Sequence, residues 1–300
     1  MKYIINRDLV FDVLNIKINK EIEFKNLGFV DSTSNNTLTY CNDEKYIPLI
    51  LNNKNISGVF ATSVFKENLS QNKITVIECE DPRFNFFLLY NYLVKKKYNK
   101  IPTEIHHSAK VHKNAFISNY NVSIGENTIV EPNASILPDV NIGKNCIIKV
   151  NTIIGSEGFE HKKTKSGVIS VFHDGHVTLG DNVVVGANTC IDKGLSEYET
   201  IIEDYTKIEN LVHIGHGVHI GKRCLIKSSS MIARSKIQND SYIGQNSNIS
   251  NNINIGSNSY ISVGSLVTKD VLERQRVTGY FAVPHDKFLE YVLKLFRNNH

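Results

Sequence analysis

The sequence predicts a mainly β protein: a parallel β-helix, preceded by a small α/β domain and followed by a short helix. Three observations carry that expectation. Aliphatic residues recur every six positions from about residue 105 onward. Ile and Asn are in large excess, with 36 and 35 copies in 300 residues. Sixteen of the 18 glycines lie at or beyond Gly125, many of them directly after an aliphatic residue of the series.

The series runs Ile105, Val111 and Ile117, then, after one extra residue, from Ile124 through Val130, Ile136, Ile142 and Ile148 to Ile154. It resumes at Leu179, Val185 and Ile191, and again from Ile202 to Ile232; after a step of five it continues from Ile237 to Val267. A six-residue period matches neither the 3.6 of an α-helix nor hairpins with turns every 8–12 residues. It is the hexapeptide signature of a parallel β-helix. Each hexapeptide supplies a short strand and a corner, and three close one coil with the aliphatic side chain pointing into the prism. Coils stack about 4.8 Å apart, so each covers its neighbour's apolar face. β-branched Ile and Val suit that column. Gly and Asn tolerate the left-handed dihedrals expected at corners. The Asn-rich run from Asn246 to Asn258 keeps register through Ile249 and Ile255, so it belongs to the prism and not to a linker. Two interruptions, 155–178 and 192–201, break the period, as does the short step after Ile232. Insertions in a solenoid emerge as external loops and often carry function, so substrate is sought there.

Residues 1–104 lack the period. Ile56–Ala61 and Ile74–Ile77 read as strands, and Asp81-Pro82 opens a helix running to Leu93 with Pro in its first turn. This gives an N-terminal α/β domain over 1–104, the prism over 105–272 and a tail over 273–300. In the tail, Pro284 opens an amphipathic helix with Phe288, Tyr291, Val292, Leu295 and Phe296 on one face.

Bulk properties narrow the function. There are 34 Lys+Arg against 30 Asp+Glu, a formal net charge of +4, too weak a field to argue for nucleic-acid binding. No stretch approaches the ~18–20 apolar residues of a membrane span, and the N-terminus shows no signal-peptide core; a cytoplasmic location is expected. The five cysteines include no CxxC pair, which points to buried reduced thiols and away from disulfides or zinc.

Three histidines invite a metal reading: His213, His216 and His219. His213 and His219 hold the same repeat position on successive faces and His216 a different one, so one chain cannot bring all three to a tetrahedral ion; a site shared between chains stays open. His216, two residues after Ile214, suits a general base near pKa ~6.5. Arg234 falls one coil on in the equivalent position and could orient a phosphate or depress the His pKa. Asn251 and Asn252 follow in the next part of the prism.

The segment Gly155-Ser156-Glu157-Gly158-Phe159, then His176 to Gly194, then Thr206-Lys207-Ile208-Glu209-Asn210-Leu211-Val212-His213-Ile214-Gly215-His216, resembles the UDP-3-O-acylglucosamine N-acyltransferases of lipid A synthesis. Order and spacing agree, including the first long loop. The likeness extends to Asp31-Ser32 and to 38–46, which resembles the family's uridine-binding segment, where two aromatics six apart clamp the base; Tyr40 and Tyr46 have that spacing. The resemblance implies a left-handed β-helix homotrimer with active sites between subunits. It implies His216 as catalytic base and Tyr40, Tyr46 and Asn210 as substrate-binding residues; Asp43, Phe159, Arg234 and Asn252 are further substrate-binding candidates, Arg234 from its repeat position one coil beyond His216. Asn210 would meet the acyl or phosphopantetheine portion of the donor, and Gly217 is the candidate oxyanion donor. Asn252 stands where the family has its second functional His, and Asp43 where it has Asn.

The function so implied is N-acylation of a UDP- or dTDP-linked amino sugar for cell-surface polysaccharide. The donor is an acyl-CoA or acyl-carrier-protein thioester, with no bound cofactor and no metal. The Asn252 replacement, Arg234 and the short tail favour a short acyl-CoA donor. The lipid A enzyme proper is the alternative, and a non-catalytic trimeric scaffold the second. Side chains such as Leu266 would set the acyl length by closing the groove.

Overall fold

In a computed structural model, residues 4–70, 74–196, 198–279 and 284–297 are described. From Glu104–Ile105 to Arg276–Val277 the chain winds into a prism with three parallel faces of eight, nine and eight strands. The coil is the left-handed parallel β-helix. Successive strands on one face come from successive coils, with Ile136 beside Ile154, Ile214 beside Ile232 and Ile232 beside Ile249. Their side chains are fully buried in one continuous apolar column from Val122 to Val271. Each such Ile contributes about 1.5–3 kcal/mol by leaving water. The last strand, Arg276–Val277, pairs with Tyr260–Ile261, beyond residue 272.

The corners divide the labour between Asn and Gly differently from the sequence expectation. Asn takes the left-handed corners: Asn127, Asn145, Asn182, Asn246 and Asn258 all have φ between 53° and 60°. Most glycines that follow the aliphatic residue have ordinary backbone and serve close approach instead. A Cβ on Gly186 would lie 2.3 Å from the Glu209 carbonyl carbon of the next coil, and one on Gly125 would lie 2.6 Å from the Gly143 oxygen.

The N-terminal domain centres on a parallel four-stranded sheet ordered Asn26–Leu27, Thr37–Cys41, Ile56–Ala61 and Thr75–Glu78. Helix Pro82–Lys97 packs on it, its start capped by the Asp81 carboxylate, which accepts from the Phe84 amide at 3.1 Å. Phe60, Phe86 and Phe87 are buried in its core. Ile169, Val171 and Leu195 belong to that same core although they come from the two interruptions.

The first interruption forms a hairpin, His161–Thr164 with Gly167–Ser170, laid along helix Pro82–Lys97. The Ser166 amide donates to Asp81 Oδ2 at 2.8 Å, Asn91 Nδ2 to the Ser170 carbonyl at 2.8 Å, and the Phe172 amide to Asn91 Oδ1 at 3.0 Å. The break in the period is therefore the joint between prism and domain. A terminal helix spans His285–Arg297; the side chains of Phe288, Tyr291, Val292, Leu295 and Phe296, expected on its apolar face, lie outside the described residues. Among the described residues no helix is long and apolar enough to cross a membrane.

Candidate active site

The joint encloses a cavity of about 560 Å³. The N-terminal sheet supplies Tyr40 and, beyond its end, Tyr46; the first interruption supplies Glu160 and Lys162; the second supplies Tyr198; the prism supplies His216, Arg234 and Asn252. The places where the hexapeptide period breaks thus build the walls.

His216 is mostly buried, its side chain 21% exposed, with Nε2 3.6 Å from Glu160 Oε2. Its Nδ1 is buried without a hydrogen-bond partner among the described residues. Burial holds its pKa below the usual 6.5 and Arg234 pushes the same way, against the opposing pull of Glu160. The imidazole is neutral at neutral pH and able to accept a proton.

The other two histidines of its segment are differently placed. His213 Nε2 lies 3.0 Å from Asp192 Oδ2, and that hydrogen bond raises its pKa. His219 Nε2 lies 2.7 Å from Glu203 Oε1. Both face outward from strands, whereas His216 turns into the cavity. Among the described residues no three His, Cys, Asp or Glu side chains are grouped to hold a metal.

Arg234 is fixed from two sides. Its Nη2 donates to Asn252 Oδ1 at 2.7 Å and Nε to the same oxygen at 3.2 Å. Its guanidinium lies over the Tyr198 ring, 4.6 Å from the centroid, a stacking that delocalised guanidinium favours. Tyr198 donates to Asp31 Oδ2 and stacks on Phe29 at 6.2 Å. A ladder Asn252–Arg234–Tyr198–Phe29 therefore ties the prism to the N-terminal domain across the cavity.

Tyr40 packs on Phe86 at 4.8 Å, and burial raises its phenol pKa, opposed by Arg83. Tyr46 carries the Lys45 ammonium 5.1 Å from its ring centroid. The two rings share the cavity as aromatic surfaces.

Several expected residues lie elsewhere. Asp43 does not line the cavity: it accepts from the Lys45 amide at 3.1 Å and pairs with the Lys45 ammonium at 2.9 Å, capping a turn. Phe159 is 87% exposed and meets His161 edge-on at 4.6 Å. Asn210 lies in a separate recess of about 310 Å³ with Lys149, Lys207, Lys227 and Tyr242, its Oδ1 accepting from the Ala187 amide. Gly217 is held within the turn. Its amide donates to Thr200 Oγ1 at 2.9 Å, and its φ of +71° serves the turn that presents His216.

Sequence reasoning missed Glu160, Tyr198 and His173 as individuals. All three sit in the interruptions, so position was the available signal; nothing in their residue types singled them out.

Residues 195–294 match the family described as the GMPPB C-terminal domain, and residues 121–156 match Bacterial transferase hexapeptide (six repeats). The UDP-3-O-acylglucosamine N-acyltransferase of Campylobacter concisus (strain 13826) is 31% identical over 206 residues, covering 62% of this chain and 64% of that protein. The protein of the same name from Acinetobacter baylyi is 30% identical over 207 residues, covering 59% of this chain and 56% of its own length. The chain thus spans about three-fifths of the length of these curated relatives. Among solved structures, the UDP-N-acetylglucosamine acyltransferase from Campylobacter jejuni aligns with a TM-score of 0.47 at 20% identity, covering 57% of this chain and 69% of that one. Over about three-fifths of its length the chain is similar to the UDP-3-O-acylglucosamine N-acyltransferases, and residues 121–156 carry the hexapeptide repeats of bacterial transferases.

Proposed function

We propose that the protein transfers an acyl group from a thioester to the amine of a nucleotide-linked amino sugar, with His216 as general base. The observation that carries this reading is a neutral, mostly buried histidine in a cavity that also holds two tyrosine rings and a fixed guanidinium. The nucleobase would lie between Tyr40 and Tyr46, and the diphosphate would meet Arg234. The sugar amine attacks the thioester carbonyl as His216 Nε2 takes its proton, and the new C–N bond forms. The tetrahedral intermediate collapses with cleavage of the C–S bond, and the imidazolium returns the proton to the departing sulfur. Glu160, 3.6 Å from Nε2, stabilises the imidazolium while it lasts. The names of the curated relatives support the same chemistry.

The Arg234–Asn252 pair favours an acceptor or donor other than that of the lipid A enzyme, because Asn252, standing where the resemblance expects a second functional His, already holds a guanidinium. We place the enzyme in the cytoplasm as a homotrimer, with the Asn210 recess and its three lysines on the path of the acyl donor.

Thiol release from acetyl-CoA and from acyl-carrier-protein thioesters, across UDP- and dTDP-linked amino sugars, tests the reading. Release that depends on one nucleotide amino sugar and disappears in His216→Ala, with trimerisation retained, is the expected result. No release with any donor and acceptor would leave a scaffold without catalysis.

A further inference from the structure

The first interruption carries Glu160 into the cavity that holds His216. Its backbone is fixed on both sides. The Glu160 amide donates to the Gly158 carbonyl at 3.0 Å, and its carbonyl accepts at 2.9 Å from the amide of Val171, itself buried in the N-terminal core. Two residues before Glu160 the chain lies against the base. A Cβ on Gly158 would come within 2.7 Å of His216 Cδ2, so only glycine lets the loop approach that ring. The His173 ring also packs on His216, edge to face, with centroids 5.2 Å apart and planes at 77°. His216 and Glu160 are therefore held at a set separation.

His216 Nε2 and Glu160 Oε2 stand 3.6 Å apart, beyond hydrogen-bond reach, so neither satisfies the other. Both side chains are mostly buried, 21% and 14% exposed, and both line the same cavity. A carboxylate only accepts hydrogen bonds, and the nitrogen through which a neutral imidazole acts as base accepts one as well. Lys162 pairs with the other oxygen, Oε1, which offsets the charge and leaves Oε2 next to the base. Asp31, the other carboxylate among the described lining residues, already accepts from Tyr198. Two acceptors across this gap suit one small group with two hydrogens to donate, and a nitrogen about 2.9 Å from each spans it. A primary amine, protonated or not, carries at least two N–H bonds. A hydroxyl carries one, so whichever acceptor it served, its oxygen would face the lone pair of the other.

We infer that Glu160 and His216 form a two-acceptor clamp that selects a primary amine over a hydroxyl as the acyl acceptor. Glu160 Oε2 takes one N–H and His216 Nε2 the other, leaving the nitrogen lone pair free for the thioester carbonyl. An amine that arrives as an ammonium first gives its extra proton to His216, which releases it to water. As the neutral amine attacks and the C–N bond forms, the proton on Nε2 passes to the imidazole, and it leaves with the sulfur when the C–S bond breaks. The hydrogen on Glu160 stays behind as the amide N–H of the product. The inference rests on the nucleotide-amino-sugar reading above, and it adds a specificity residue that neither the hexapeptide register nor the uridine-clamp resemblance assigns.

Calorimetric titration of the full-length chain with UDP, UDP-glucose and the 2-amino, 3-amino and 4-amino forms of UDP-glucose, in parallel with the dTDP series, tests it. The wild type is expected to bind one amino form about tenfold more tightly than the glucose form. In Glu160→Gln, Lys162 keeps the amide oxygen, and the NH2 group stands where Oε2 was, a donor where the amine needs an acceptor. That variant should lose the preference while free-nucleotide binding stays within about twofold, which also reports an intact fold. Glu160→Leu, with no polar atom, should lose the preference too. Equal binding of hydroxyl and amino forms by the wild type, or a preference that survives in both variants, overturns the clamp and leaves the nucleotide reading standing. Loss of the free nucleotide in both variants places Glu160 in the nucleotide site and also overturns the clamp. Failure of the wild type to bind either nucleotide overturns both readings.

Discussion

His216 and His173 touch, yet the fold treats them differently, and both differences are measurable. As the proposed base His216 has to be neutral in order to accept a proton, and its lowered pKa would place the acid limb of kcat/KM below pH 6.5. Glu160 works against that lowering, so Glu160→Gln should move the limb to still lower pH; a shift upward, or none, would remove Glu160 from the account. His173 carries the larger depression, to about 4, from burial first and from His216 second. The unfolded chain then binds more protons between about pH 4 and 6.5, so stability rises with pH across that window and is lost as pH falls through it. The full difference is about 3 kcal/mol. Urea melts of wild type and His173→Phe should show the variant losing less stability on acidification from neutral pH; equal losses would place His173 in a wetter setting than the fold gives it.

Among elements, the hexapeptide coil was the most legible, and its corners show why. One aliphatic residue per six positions names the buried column outright, because every Ile of the series meets its counterpart one coil on. Corner chemistry was half legible: the excess of Asn pointed to left-handed dihedrals, but the Ile-Gly pairs report a tight approach between coils that no single coil displays. The two roles separate by substitution. Asn246, at φ 55°, should accept Gly with little loss, whereas Asn246→Ala should cost about 1–2 kcal/mol from backbone strain. Gly186→Ala should cost more than Asn246→Ala, since its Cβ would meet the next coil's backbone at 2.3 Å with nothing flexible to give way. Thermal melts of the three variants rank them, and a Gly186→Ala protein as stable as wild type would contradict the close-approach role. The interruptions were legible as places but not as structures. A hairpin that buries Ile169 and Val171 in another domain's core has meaning only once that domain is present.

At the scale of the whole molecule, catalysis as proposed is a property of the joint. The prism supplies the base and the guanidinium, the N-terminal domain supplies the aromatic pair, and the interruptions lock the two together through Asp81, Asn91 and the Tyr198–Asp31 bond. Neither half encloses the cavity alone. Repeat register along the chain brought His216 and Arg234 forward, and the family resemblance brought Tyr40 and Tyr46. Dependence on the joint explains why the sequence scattered Asp43, Phe159 and Asn210, which share a motif with the site but point away from it in the subunit. The measurement that tests the central claim most directly is the rate of acyl transfer to the nucleotide amino sugar at neutral pH by wild type and His216→Ala, with folding of the variant verified by its melt. Loss of the base should lower kcat by about 10²–10⁴-fold at unchanged stability of the fold, and a variant within a few-fold of wild type would contradict His216 as the group that takes the proton.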